Sequence, residues 1–446
     1  MRPVVLLIAA ALAFASAASA APLTVEEAVR LALQKNGAVI QSEAAALSAR
    51  GGLWSAYSQV LPSVSGSVDR GGSFTGSSSG TQVFGSQVFP SSSFDSERYS
   101  GSYGLSGRWS VFDPSAIVGL SSARQSMKGA ELSQRATRAD VRLETNRRFF
   151  SVVKAMHLSG VSSRSLKLSR DDERRVRALF EVGSVSKSDL LKAQVRTAQS
   201  QLDSLLTDHA VITQRIALAQ QLGTSEGQLG EVDSTLAADP RPFEPVSVLA
   251  EARRQRPDLL AAEAELKSAE LGLRSAHWSR LPNLALSGAW TPKSTSAQKL
   301  FGDKAHTTTS SGASETKDSW QGQVSVNMNL FDGFATDARV ASARAQLLRS
   351  RETRDALLRN LEGEVRQTLL VYQEGTEREA LARRTVASAA ENLNLVQQKY
   401  NVGSATILDL IDSQVQLQRA QSDLVSALAD IRVAEAAVDR VRGQGE

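Results

Sequence analysis

The chain repeats itself at long range. Leu61-Pro62 returns as Leu281-Pro282, 220 positions later, and Val182-Gly183-Ser184 returns as Val402-Gly403-Ser404 at the same spacing. Phe112-Asp113 returns as Phe331-Asp332 after 219 positions, so one residue of net slippage separates the halves. A unit of this length is far larger than the 20–50 residues of a solenoid repeat. Whatever the chain folds into is therefore two copies of one long unit.

Each unit contains a Gly-broken turn between long helical runs. Ahead of Gly403, Val386, Ala389, Leu393, Val396 and Tyr400 keep a 3–4 spacing. Behind it, Leu410, Leu417, Leu424, Ile431 and Val438 recur every seven, with Ser413, Ala420, Ala427, Ala434 and Val441 three further on. This is the pattern of a coiled-coil hairpin with a seam on each arm. The first copy turns at Gly183, and its returning arm repeats Leu191, Ala198, Leu205, Ile212 and Ala219. Proline is absent from 115 to 239 and after Pro292. Helices can then run from Pro114 to Phe180 and from Phe334 to Tyr400, each roughly 100 Å at 1.5 Å per residue. A shorter helical segment opens each half, from Thr24 to about Ser58 and from Ser247 to about Ser279.

Between these helical parts the period drops to two. Tyr99, Tyr103, Leu105, Trp109 and Val111 alternate with Ser and Arg. Trp320, Val324, Val326, Met328 and Leu330 alternate with Ser, Gln and Asn. Weaker alternation through Val64 and Val68, and through Leu284, Leu286 and Trp290, supplies partners, giving four strands in two hairpins. Their loops, about 71–97 and 292–318, are rich in Ser, Gly and Thr. Aromatics toward strand ends and long polar loops fit a membrane barrel as well as a soluble sandwich.

Residues 1–20 read as a signal peptide: Arg2, an apolar run from Val4 to Phe14, then Ala18-Ser19-Ala20. No later stretch reaches 18 apolar residues, so the exported chain has no helical anchor. Without cysteine, a disulfide framework and an N-terminal lipid anchor are excluded. The parsing is 1–20 signal, 21–222 first repeat (hairpin strands 61–112, coiled-coil hairpin 114–222), 223–246 link, and 247–446 second repeat (strands 281–331, coiled-coil hairpin 334–441). Charge is near balance and spread along helices, which gives no nucleic-acid footprint.

Catalytic signatures are weak. Gly76-Ser77-Ser78-Ser79-Gly80 matches a nucleophile elbow in letters, but lacks the hydrophobic strand and helix such an elbow needs. His157, His209, His277 and His306 stand far apart with no metal-ligand spacing. Neither an enzyme, a cofactor nor a metal site is expected. Asp409 and Asp412 differ: three residues apart, they share a face just after the turn. They are either helix-start carboxylates favoured by the dipole or, around a symmetry axis, stacked rings at a cation-selective constriction.

Four strands cannot close a transmembrane barrel, so the barrel must be shared; two chains would give eight strands and three would give twelve. Here the chain resembles the TolC-like outer-membrane efflux and type I secretion channels. The duplication carries the resemblance, with Leu-Pro before the first strand of each half, Leu330-Phe331-Asp332-Gly333, and Tyr400-x-Val402-Gly403 followed by Asp409-Leu410-Ile411-Asp412. The resemblance implies an α+β, mostly helical homotrimer, with a twelve-stranded barrel in outer-membrane lipid continuous with a twelve-helix periplasmic tunnel. It implies a passive duct working with a periplasmic adaptor and an inner-membrane ABC or proton-driven transporter.

Matched residue by residue, Asp409 and Asp412 correspond to the aperture carboxylates, and Tyr400 and Asp189 to residues that hold the tip closed. Val182-Gly183 and Val402-Gly403 correspond to adaptor-docking turns. Ala405 stands where the best-studied member has a basic residue, and Lys192 is the first-half match to Asp412. Three copies of Asp409 and Asp412 should repel one another and raise some of their pKa values. A periplasmic coiled-coil adaptor or structural spacer is the alternative reading; adaptors usually carry one hairpin in a β-rich domain, whereas two alternate with strands here.

Overall fold

The computed structural model describes residues 22–75, 81–90, 95–237, 241–301, 308–316 and 318–444. The signal-peptide reading, the Gly76–Gly80 match and His306 lie outside them.

The helices keep the 220-residue repeat. α1 (Val25–Lys35) and α2 (Gly37–Ser58) match α5 (Pro245–Gln255) and α6 (Pro257–Trp278). α3 (Pro114–Glu181) and α4 (Lys187–Gln221) match α7 (Ala335–Asn401) and α8 (Ile407–Arg442). Each opening segment is thus two helices, not the single run expected. Pro257 at a first helical position forces the second break, since the preceding residue is pushed out of helical geometry. In the first half Asn36 makes the break: its side chain accepts from Ala38 N–H and donates to the Gln221 carbonyl at 2.8 Å.

The chain divides into two compact units, each drawing on both halves. One comprises residues up to Leu47, Lys128–Glu263 and the chain from Glu352 onward; the other comprises Ser48–Met127 and Ala264–Arg351.

In the first unit the two hydrophobic clusters correspond position by position. Ala28, Ala32, Val39, Val141, Phe149, Val152 and Leu218 pack in one, and Val248, Ala252, Leu259, Leu361, Leu369, Tyr372 and Val438 in the other. Burying a Leu, Ile or Val side chain contributes about 1.5–3 kcal/mol, so these paired cores dominate the stability of this unit. Two close approaches repeat as well. Gly223 and Gly443, at positive φ, would place a Cβ 2.6 Å from the Lys35 carbonyl oxygen and 2.8 Å from the Gln255 carbonyl. Only glycine fits both the left-handed backbone and the contact. The link between the halves is packed: Leu229 and Val232 enter the first cluster, and Leu23 forms a parallel bridge to Val232.

The second unit is built on an antiparallel sheet. β1 (Ser63–Thr75) pairs with β4 (Asp95–Phe112), β4 with β5 (Asn283–Phe301), and β5 with both β6 (Thr308–Thr316) and β7 (Ser319–Asn327). β6 and β7 follow one another along the same edge of β5, so the sheet has the four strand positions expected. β2 (Thr81–Phe84) and β3 (Gln87–Pro90) make a separate hairpin. The strands run well into the stretches expected as loops. Ladder hydrogen bonds need backbone groups, not apolar side chains, so Ser- and Thr-rich sequence extends a strand once a partner is in register.

Register gathers the apolar residues on one face. Val68 lies opposite Tyr103, Leu105 opposite Trp290, Trp109 opposite Leu286, and Leu286 opposite Val324. Trp290 stacks on Trp320 with ring centroids 5.3 Å apart. The other face carries Ser65, Ser106, Arg108, Ser287, Gln321 and Gln323. The apolar face is uncovered: Val68 is 85% and Trp320 78% exposed. Among the described residues no helix is long and apolar enough to cross a membrane.

Where strand gives way to long helix, the halves differ. Asp113 caps α3 through its Oδ1, 3.0 Å from Ser115 N, and Pro114 follows at once. In the second half β7 stops at Asn327, Gly333 and Phe334 take positive φ, and Asp332 accepts from Thr336 N at 2.9 Å before α7 begins. The extra left-handed turn accommodates the one-residue slippage.

Candidate functional site

The two hairpin tips are built alike. Gly183, φ +81°, and Gly403, φ +78°, each end a long helix. Ser184 N donates to Leu179 O at 2.8 Å and Ser404 N to Lys399 O at 2.9 Å, while Gly183 N and Gly403 N donate to Phe180 O and Tyr400 O. These paired bonds satisfy the last carbonyls as in a Schellman turn. Val182 and Val402, next to the glycines, are 72% and 79% exposed.

The returning helices start alike as well. Ser186 caps α4 and Thr406 caps α8, accepting from Asp189 N and Asp409 N. Asp409 Oδ2 accepts in turn from Thr406 N at 2.8 Å, completing a capping box. Asp189 Oδ2 accepts from the Ser186 hydroxyl at 2.7 Å. These bonds hold both carboxyls below their ordinary pKa, led by the Ser186 and Thr406 side chains. Within one chain Asp409 therefore shifts opposite to the direction expected from a ring of like charges, because capping donors stabilise its anion. Asp412 is exposed on the next turn of α8. It lines a groove of about 670 Å³ between α4 and α8, with Leu191, Lys192, Arg196, Leu408 and Ile411.

The tips share a small core. Val176, Ala193, Ile407 and Leu410 are buried there, with Val185, Leu190, Leu393, Val396, Tyr400 and Ile411 against them. Tyr400 is half-buried, and its phenol is held above its ordinary pKa first by burial, then by Asp172, with Arg175 opposing and Asp189 adding a little. The structure thus brings Tyr400 into the field of Asp189, but Asp189 spends its hydrogen bonds on Ser186 and Lys192 within its own helix start.

Sequence reasoning missed a set of buried polar residues behind the tips. Gln414 Nε2 donates to Asp172 Oδ2 at 2.6 Å, and Arg196 Nη2 donates to Gln418 Oε1 at 2.8 Å and to Ser165 Oγ at 3.0 Å. Burial raises the Asp172 pKa and lowers that of Arg196. A second set lies at the other end of the returning helices. Buried Arg256 binds both Asp258 oxygens and Glu364, and Arg440 binds Glu364 and Asp140. Burial works against the Arg256 charge, but its carboxylate partners outweigh it and raise its pKa. Polar letters flanking an apolar heptad seam are the only sequence signal for either set. His157 and His277 each sit against a backbone carbonyl, of Ser234 and Leu273.

The outer membrane efflux protein family matches residues 28–224 and 248–444, one block for each half. The chain belongs to the outer membrane efflux protein family. Outer membrane protein TolC of Vibrio cholerae is 23% identical over 335 residues, 74% of this chain and 73% of that one. Outer membrane efflux protein BepC of Brucella suis is 23% identical over 330 residues, 72% of this chain and 68% of that one. The Campylobacter jejuni CmeC outer membrane channel superposes with a TM-score of 0.77 at 16% identity, over 94% of this chain and 86% of that one. Vibrio cholerae VceC superposes at 0.73 with 17% identity, over 94% and 96%. Family membership makes this an outer-membrane protein with the mostly helical, four-strand fold of TolC-like channels.

Proposed function

We propose that the chain is the exit duct of a tripartite efflux or type I secretion system, working as a homotrimer. The sheet carries this reading. Four strand positions, apolar on one uncovered face and polar on the other, are too few to close and have the surfaces of a barrel wall with lipid outside and water inside. Three chains supply twelve strands and, from α3, α4, α7 and α8, twelve helices. An adaptor or spacer would have no use for such a sheet face.

The apolar stripe of α4 supports assembly. Leu191, Val195, Leu202, Leu205, Ile212 and Ile216 follow a 4–3 spacing and are 41–57% exposed, the geometry of an unpartnered coiled-coil seam. At the tips, Val182-Gly183 and Val402-Gly403 are offered to a periplasmic adaptor, which couples the duct to an inner-membrane ABC or proton-driven transporter. Asp409 and Asp412 form carboxylate rings around the aperture, and Tyr400 and Asp189 help to keep it narrow.

Single-channel recording in a planar bilayer tests the reading. The wild-type protein should give a cation-selective conductance, and Asp409→Asn with Asp412→Asn should weaken both the selectivity and the block by multivalent cations. A protein that never conducts would overturn the duct; an unchanged reversal potential in the variant would remove the two aspartates from the aperture.

A further inference from the structure

Near the end of β4 that leads into α3, a charged side chain stands on the polar face of the sheet. Arg108 lies opposite Ser63 of β1 and Ser287 of β5 and is exposed. Its neighbour Trp109 belongs to the apolar face and donates from Nε1 to Val60 O at 3.1 Å, which fixes the alternation of β4 at this point. Around Arg108 the polar face forms a hollow of about 380 Å³ lined by Ser63, Ser65, Ser106, Ser287, Gln321 and Gln323, with glycine and alanine between them. Among the described residues, every lining group except the guanidinium is neutral. Along the paired strands the next carboxylate on this face is Asp69, opposite Ser102. Counted along β1 from Ser63 it is roughly 20 Å away at about 3.4 Å per residue.

We infer that Arg108, once from each of three copies, forms an anion-binding collar inside the barrel that takes carboxylate or phosphate groups of a solute in transit. The inference rests on the duct reading, which puts the polar face on the lumen and three copies around it. Twelve strands about 4.8 Å apart and tilted about 40° close into a barrel roughly 24 Å across its backbone. Three arginines on that wall stand about 20 Å apart at their Cα atoms and closer at their guanidiniums, against a Debye length of about 8 Å. Their fields therefore overlap across the lumen, where low-dielectric walls concentrate them. The planar guanidinium fork binds a carboxylate or phosphate through paired N–H donors, and the hydroxyls and amides beside it add neutral hydrogen bonds. With no acidic side chain lining the hollow, the fork is open to a passing anion. The collar is opposite in sign to the carboxylates of the tips, so one duct carries both a cation-attracting and an anion-attracting ring.

Block of the channel by soluble anions tests the collar. A short polyglutamate peptide and tripolyphosphate, each added to the conducting wild-type protein in a planar bilayer, are the probes. Arg108→Gln should raise the anion concentration needed for half-block about tenfold, the scale of hydrogen bonds to a charged group. The same variant should leave block by a polylysine peptide unchanged and shift the reversal potential toward stronger cation preference. Arg108→Lys keeps the charge but loses the fork, and its block should fall between the two. An arginine with only a structural role would change trimer yield and leave the blocking concentrations as in wild type. A loss of block confined to polyglutamate assigns the collar to carboxylates, and one confined to tripolyphosphate assigns it to phosphates. A conducting wild-type channel that neither anion blocks, or equal block in wild type and Arg108→Gln, would overturn the collar while leaving the duct intact. No conductance in the wild type and in every variant would overturn the duct itself.

Discussion

α4 and α8 occupy equivalent places in the two halves and bury the same face, yet only α4 leaves a Leu and Ile stripe exposed beside it. α8 turns its seam inward: Leu410, Ile431 and Val438 are wholly buried, and Ser413, Ala420, Ala427 and Ala434 lie against neighbouring helices. α4 buries the equivalent Ala193, Ser200 and Leu218, with Arg196 beside them, but leaves its Leu and Ile stripe outward, where the matching Ile411, Val415 and Val425 of α8 are half-buried. The duplicated helix has kept its starting cap, its closing glycine and the face it spends on its own chain; what differs is the cover on the neighbouring stripe. α8 is thus covered within the protomer along its seam, whereas α4 also carries the exposed apolar stripe proposed above to meet another copy.

The largest expected effect comes from charging the outward stripe. Leu202→Lys with Leu205→Lys should abolish trimers, read by native mass spectrometry of detergent-extracted protein, with helix content by circular dichroism unchanged. Intact trimers would show that the α4 stripe is not a subunit surface. On α8, Ile431→Ala should cost the fold itself about 2–5 kcal/mol, as for other large-to-small changes in a packed core, measured by chemical denaturation. Equal losses from Leu205→Ala and Ile431→Ala would erase the difference between the helices.

Gly223→Ala and Gly443→Ala probe the end that the two helices share. Each adds a Cβ into a backbone carbonyl at positive φ, and each should destabilise by about 1–3 kcal/mol, the cost of local backbone strain. A loss at one position alone would show that the equivalence stops short of the helix ends.

A smaller effect should follow pH through Asp172. Its folded pKa lies above the ordinary 3.8, first through burial, with Gln414 and Arg175 opposing and Asp171 adding; Tyr400 on α7 faces it as well. The native state therefore binds the proton more tightly, and the fold gains stability as pH falls through that raised value toward the unfolded one. Chemical denaturation should show that gain on mild acidification, and Asp172→Asn should remove it. A pH response unchanged by Asp172→Asn would place the titrating group elsewhere.

Much of this was legible in the letters. The repeat, the tips and the alternating strands fixed by Tyr99–Val111 and Trp320–Leu330 needed only spacing, because periodicity reports which face is apolar. The α4 seam was legible too, but not that it faces outward: periodicity shows that a stripe exists and is silent on what covers it. Strand length was underestimated because Ser- and Thr-rich sequence pairs through its backbone. The buried polar set behind the tips was hidden because Arg196, Gln414 and Gln418 look like the solvated flank of a coiled coil, and only packing puts α3 across from them.

The claim that α4 is a subunit surface and α8 is not can be tested at two matched positions. A photoreactive residue at Leu205, and in a separate variant at Val425, 220 positions later, would report what each side chain meets in the assembled membrane protein. Leu205 should yield cross-linked dimers and trimers, and nothing larger, and Val425 products confined to single chains. Single-chain products alone from Leu205, or a ladder extending beyond three chains, would contradict it.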